Sequence, residues 1–194
     1  AAGAKGYDVL VPTANAVQPL IKGGQLKPLD KTALTNLKNV DPAYLNTPFD
    51  PGNQYSVPYA MSTTIIGYND EKVKELGLPT DTWAVIFEPR YLGKIKGRIT
   101  VLDSAGELFA AALVYLGYPG NDVDPWHWSE AAAVIKRAKP YWAAFNSSSY
   151  IKELTLGNVW IAQGYSGDIF QANNDARAAG RKFSIRAGMP REGA

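Results

Sequence analysis

Short apolar runs alternate with helix-forming stretches along this chain, and that rhythm restricts it to few architectures. Strands are predicted over 98–102, 158–163 and 182–187, with helices over 106–115, 129–138, 147–156 and 169–179. Gly117, Pro140, Gly157 and Gly180 supply the helix stops. Upstream, Tyr7-Asp8-Val9-Leu10-Val11-Pro12 has the composition of a short buried strand, and 13–21 reads as a helix stopped by Gly23-Gly24. Residues 30–54 hold three prolines and little periodicity, as expected of an irregular connection. Residues 55–68 read as one long extended segment, after which Asn69-Asp70 cap a helix through Leu76 that Gly77 closes. Strands alternating with helices predict an α/β protein with a largely parallel sheet.

Composition sets the outer bounds. Five Trp, eleven Tyr and six Phe among 194 residues give ample surface for a core. The net charge is +2, and the densest basic stretch, 90–98, reads as a solvated face; no basic stripe or RNA-binding motif marks a nucleic-acid partner. Without cysteine there are no disulfides and no thiolate chemistry. No run approaches the ~18 apolar residues of a membrane helix. Ala1-Ala2-Gly3-Ala4-Lys5 has neither the charged n-region nor the apolar h-region of a signal peptide. The chain opens close to one core-type strand and stops soon after another, as a fragment would.

Catalytic chemistry has little to stand on. His127, between Trp126 and Trp128, is the single histidine and has no nucleophile beside it in sequence, so a packed or surface residue near a helix start is expected. Gly164-Tyr165-Ser166-Gly167-Asp168 fails as a nucleophile elbow, because Asp168 stands where the second glycine belongs. There is no P-loop, no Gly-x-Gly-x-x-Gly, no His and Cys set for zinc and no EF-hand spacing. The expectation is a protein that is not an enzyme, with no cofactor and no resident metal.

Two strand–turn–helix junctions carry acids. One is Leu102-Asp103-Ser104-Ala105-Gly106-Glu107, the other Gly164-Tyr165-Ser166-Gly167-Asp168. Ligands of open α/β sheets bind outside the carboxyl ends of strands, where such turns lie. Two carboxylates and an aromatic meeting there would make a cation site. Helix capping explains the same residues: Ser104-x-x-Glu107 is a capping box and Asp168 a good N-cap. Both readings stand on the sequence alone.

The motifs bring a resemblance with them. Tyr7-Asp8-Val9-Leu10-Val11-Pro12-Thr13, Leu102-Asp103-Ser104 with Glu107, Phe145-Asn146-Ser147-Ser148-Ser149-Tyr150-Ile151, Gly164-Tyr165-Ser166-Gly167-Asp168 and Pro190-Arg191-Glu192-Gly193-Ala194 resemble, in order and spacing, motifs of the spermidine/putrescine-binding proteins of bacterial ABC importers. The resemblance implies the α/β fold of the type 2 periplasmic binding proteins, two lobes with mixed sheets flanked by helices. Residues 1–60 with a return strand in 186–194 would form an incomplete lobe one, and 61–185 lobe two, with 55–68 as a crossing strand. It implies a periplasmic polyamine receptor, binding putrescine or spermidine and partnered by membrane permease components. Carried over residue by residue, Glu107 and Asp168 would pair with ligand ammonium groups. Tyr165, where many putrescine binders have Trp, would cover the methylenes, and Thr13 would hydrogen-bond an amine. Asn146 replaces a family histidine and receives no role. The alternatives are a same-fold protein for another small cationic or amino-acid-like ligand, and an α/β enzyme.

Overall fold

The computed structural model describes residues 6–194, so the expectation about Ala1 to Lys5 lies outside the described residues. The chain divides into two compact units, Ala1–Met61 and Ser62–Ala194.

In the first unit, α1 spans Ala14–Lys22 and ends at Gly23, as the sequence predicts. Two 3-10 turns, Leu37–Asn39 and Pro42–Tyr44, follow in the irregular stretch. Asp50, buried to 2%, knits the end of this stretch together. Its carboxylate accepts from the backbone N–H groups of Gln54, Tyr55 and Ser56 and from the Ser56 hydroxyl at 2.7–3.1 Å. Burial alone would push this carboxyl up; the hydrogen bonds from Ser56, Tyr55 and Gln54 outweigh it and hold it below the ordinary aspartate value. The predicted strand at 7–12 is not formed, and Val9 and Val11 are 80% and 72% exposed. The reason is pairing. A strand needs a neighbouring ladder, and among the described residues the first unit contains no other strand.

The second unit is built on a five-stranded sheet. In chain order its strands are β1 (Thr64–Asn69), β2 (Ile99–Val101), β3 (Ala144–Phe145), β4 (Ile161–Tyr165) and β5 (Ile185–Gly188). The spatial order is β3-β2-β4-β1-β5. β2 runs parallel to β3 and β4, whereas β1 runs antiparallel to β4 and β5. The sheet is therefore mixed, as the resemblance implies, and not largely parallel, as the alternation alone predicts. The strand that enters from the extended segment inserts between β4 and β5 against their direction. Only the 64–69 part of that segment is strand; 56–63 has no regular structure.

Helices follow the strands closely. They are α2 (Asp70–Leu76), α3 (Ala84–Phe87), α4 (Pro89–Leu92), α5 (Ala105–Tyr115), α6 (Pro125–Ala138), α7 (Tyr150–Leu156) and α8 (Ser166–Ala178). α2 has the expected ends: the Asn69 side chain accepts from Lys72 N–H, and Gly77 takes the left-handed conformation (φ 59°) that disfavours a side chain. Among the described residues no helix is long and apolar enough to cross a membrane.

Side-chain alternation divides the core into two layers. On one face Ile66, Ile99, Val101 and Ile161 pack with α3, α5 and α6 around Trp83, Phe87 and Leu113. On the other, Ile65, Ala162 and Ile185 pack with α7 and α8 around Tyr150, Leu154 and Ile169. The last residues belong to this unit. β5 pairs with β1, the Thr82 hydroxyl donates to Glu192, and the Trp83 indole N–H donates to Gly193 O at 2.7 Å.

Candidate cation-binding site

Three of the four sequence-predicted residues gather at one end of this sheet. Glu107 stands in the first turn of α5, beyond β2, and Tyr165 and Asp168 stand where β4 passes into α8. β1 joins them: Thr64 lies opposite Tyr165 in the antiparallel register, and its hydroxyl donates to Glu107 Oε2 at 2.5 Å. On the other side, the Tyr150 hydroxyl donates to Asp168 Oδ2 at 2.6 Å and accepts from the Tyr165 N–H at 3.0 Å. A continuous line therefore runs Glu107–Thr64–Tyr165–Tyr150–Asp168. Thr13 belongs to the first unit, preceding α1, where its hydroxyl donates to Asn15 Oδ1 at 2.5 Å.

The two carboxylates are not spent on capping. At Glu107 the capping box is half made: Ser104 Oγ accepts from Glu107 N–H at a long 3.5 Å, while the carboxylate turns to Thr64. Asp168 is not the N-cap that the sequence suggests. Ser166 N–H donates to Thr63 O, so β4 stays paired with β1 up to the helix, and α8 begins at Ser166. Asp168 thus falls within the first turn. Both helix N-termini still favour the ionised carboxylate.

Electrostatics shows the same clustering. Burial, then the charges of Glu107 and Asp168, pushes the Tyr165 phenol above its ordinary value. All three side chains are half-buried. Among the described residues neither Glu107 nor Asp168 has a Lys or Arg within ion-pair distance; the Lys and Arg ion pairs among those residues lie at Glu75, Glu88, Asp70 and Asp81. A cavity of about 80 Å³ beside Glu107 is lined by Thr64 and by the apolar Trp83, Ala110, Ala111 and Val114. Among the described residues, no cluster of three or more His, Cys, Asp or Glu is arranged to hold a metal.

The supports were harder to read than the acids. Buried Gln163 ties β4 to α5, donating to Glu107 O at 3.1 Å and accepting from Leu102 N–H at 3.3 Å. Thr64 gave no signal beyond β propensity. Tyr150 stands in one of the motifs but carries no role there, although a buried tyrosine hydroxyl usually finds a hydrogen-bond partner. Asn146, also without a role, organises the turn before α7, accepting from the N–H groups of Ser148 and Ser149. His127 lies in the first turn of α6, stacked on Tyr118 and 3.0 Å from Asp122 Oδ2.

The second unit thus combines a mixed sheet, helices on both faces and an acid–aromatic cluster at its strand ends. The chain belongs to the family described as bacterial extracellular solute-binding protein, which matches residues 1–194. It is 59% identical to the putrescine/cadaverine-binding protein of Pseudomonas aeruginosa over 194 residues, which is 100% of this chain and 55% of that protein. It is 36% identical over 200 residues to the putrescine-binding periplasmic protein PotF of Escherichia coli, covering 100% of this chain and 54% of PotF. Among solved structures, the spermidine/putrescine ABC transporter substrate-binding protein PotD of Streptococcus pneumoniae matches with a TM-score of 0.76 at 27% identity, over 98% of this chain and 55% of that one. The chain spans about half the length of the curated relatives it matches.

Proposed function

We propose that the protein containing this chain is a periplasmic receptor for polyamines of the putrescine class, delivering them to the membrane permease of an ABC importer, and not an enzyme. The observation that carries this reading is the pair of half-buried carboxylates flanking Tyr165, each held by a neutral hydroxyl and neither matched by a Lys or Arg among the described residues. Half-buried anions of this kind are completed by a cation. An ammonium group fits, forming charge-assisted hydrogen bonds with a carboxylate, while an aromatic face attracts the cation and covers methylenes at ~0.5–2 kcal/mol per contact. Thr13 is proposed as a further hydrogen-bonding partner from lobe one. The names of the relatives point the same way, and residues 61–185 are proposed as lobe two. An amino-acid-like ligand would call for Arg or Lys in the two acidic turns to meet its carboxylate; neither turn has one.

Calorimetry on the whole protein tests the reading. Putrescine and cadaverine are expected to bind one to one, and glutamate is expected to give no heat. Absence of binding by putrescine, cadaverine and spermidine alike would rule the proposal out.

A further inference from the structure

The phenol of Tyr150 joins two parts of the candidate site from within the core. The residue is fully buried, yet its hydroxyl donates to Asp168 Oδ2 and accepts from the Tyr165 N–H. A hydroxyl has a single proton to donate, and here it is committed to the carboxylate. The accepted bond fixes the backbone of the aromatic residue three positions earlier. Among the described residues no protein group donates to the other carboxylate oxygen, Asp168 Oδ1, so Tyr150 occupies one side of the carboxylate and leaves the second oxygen without a protein donor.

The sequence makes room for this ring. A Cβ at position 164 would lie 2.4 Å from Tyr150 Cε2 and 3.0 Å from Cζ, so the absence of a side chain at Gly164 lets the ring lie against β4. From there the hydroxyl reaches the turn between β4 and α8. Burial first, and the Asp168 carboxylate next, pushes the phenol above the ordinary tyrosine value, which favours the O–H form that donates to Asp168.

We propose that Tyr150 is a positioning residue for ligand binding, its hydroxyl holding the Asp168 carboxylate and the Tyr165 backbone in the relation that an ammonium ligand requires. The inference rests on the reading of Asp168 as an ammonium partner. Tyr150 touches no ligand itself; it acts through its two neighbours.

The test is Tyr150→Phe in the whole protein, which keeps the ring in its slot beside Gly164 and deletes one oxygen. Its dissociation constant for putrescine is expected to rise about tenfold, the scale of one charge-assisted hydrogen bond. Asp168→Asn is expected to cost more. The double variant should lose less affinity than the two single losses combined predict, because Tyr150 acts in part through Asp168. A Tyr150→Phe loss that adds in full to the Asp168→Asn loss would show a merely structural role and overturn the inference. A ligand-free measurement guards the geometry: the Tyr165 amide proton, followed by NMR, should shift and exchange faster in Tyr150→Phe, and an unmoved resonance would also overturn it. Putrescine binding by wild type with an unchanged constant in Tyr150→Phe sinks this inference alone. A wild-type protein that binds no polyamine sinks the functional reading and the inference with it.

Discussion

Asp168→Ala is expected to weaken putrescine binding by about a hundredfold to a thousandfold. Removing one partner of a desolvated, hydrogen-bonded charge pair costs about 2–5 kcal/mol, and each ~1.4 kcal/mol is a factor of ten in the dissociation constant. The middle of that range applies, because the side chain is half-buried and water replaces part of what the ammonium loses. The substitution also removes the acceptor of a fully buried phenol. An unsatisfied buried hydroxyl costs about 1–3 kcal/mol of stability, so affinity must be read beside a folding check by circular dichroism. Asp168→Asn separates the two effects. Its amide oxygen still accepts from Tyr150, so the fold should stay near wild type while the charge, and with it most of the affinity, is gone. Calorimetry showing a loss below about tenfold in Asp168→Ala, measured on the same relation between affinity and free energy, would mean that Asp168 holds no ammonium group.

The alternation of strands and helices was legible because both layers of the second unit obey simple periods. Ile65 and Ile66 face opposite cores, as do Ile161 and Ala162. Helix ends were legible where chemistry is local, as at Asn69 and Gly77. Three things were not. Strand direction was hidden, since β1 carries the same apolar pattern whether it runs with or against β4. The strand expected at 7–12 does not form, because β propensity says nothing about whether a ladder lies alongside. The short helices α3 and α4 leave no periodic pattern in the sequence, being single turns bounded by Trp83, Glu88 and Pro89, although their residues belong to one core layer.

The site divides along the same line. Glu107, Tyr165 and Asp168 were visible as residue types in strand–helix turns, but the sequence also permitted capping for both acids. The alternatives are separated by long-range bonds: Thr64 to Glu107 across 43 positions, and Tyr150 to Asp168 across 18. Pairings at that separation depend on strand order, which periodicity does not encode. The neutral character of these donors matters for chemistry. Lysine or arginine in the same places would neutralise the carboxylates and compete with any ammonium ligand, whereas hydroxyls orient them and leave the charge in place.

Trp83→Ala is expected to destabilise the second unit by about 3–5 kcal/mol, the range for truncating a buried large aromatic. Trp83 is 1% exposed and belongs to the core layer that includes Ile86, Phe87 and Leu113. The indole N–H also donates to Gly193 O at 2.7 Å, which raises the cost. The backbone N–H of the same residue faces Glu192 Oε2 at 3.4 Å, so one residue ties 192–193 to the start of α3. Loss of the ring opens a void that adjoins the cavity beside Glu107, which Trp83 helps to line. Trp83→Phe keeps an aromatic ring in the core but removes three ring atoms together with the N–H, so a smaller loss of about 1–3 kcal/mol is expected. Urea denaturation of the two variants, followed by circular dichroism, gives the comparison. Equal midpoints for Trp83→Ala and Trp83→Phe would show that the hydrogen bond to Gly193, and not burial of the ring, fixes this corner of the fold.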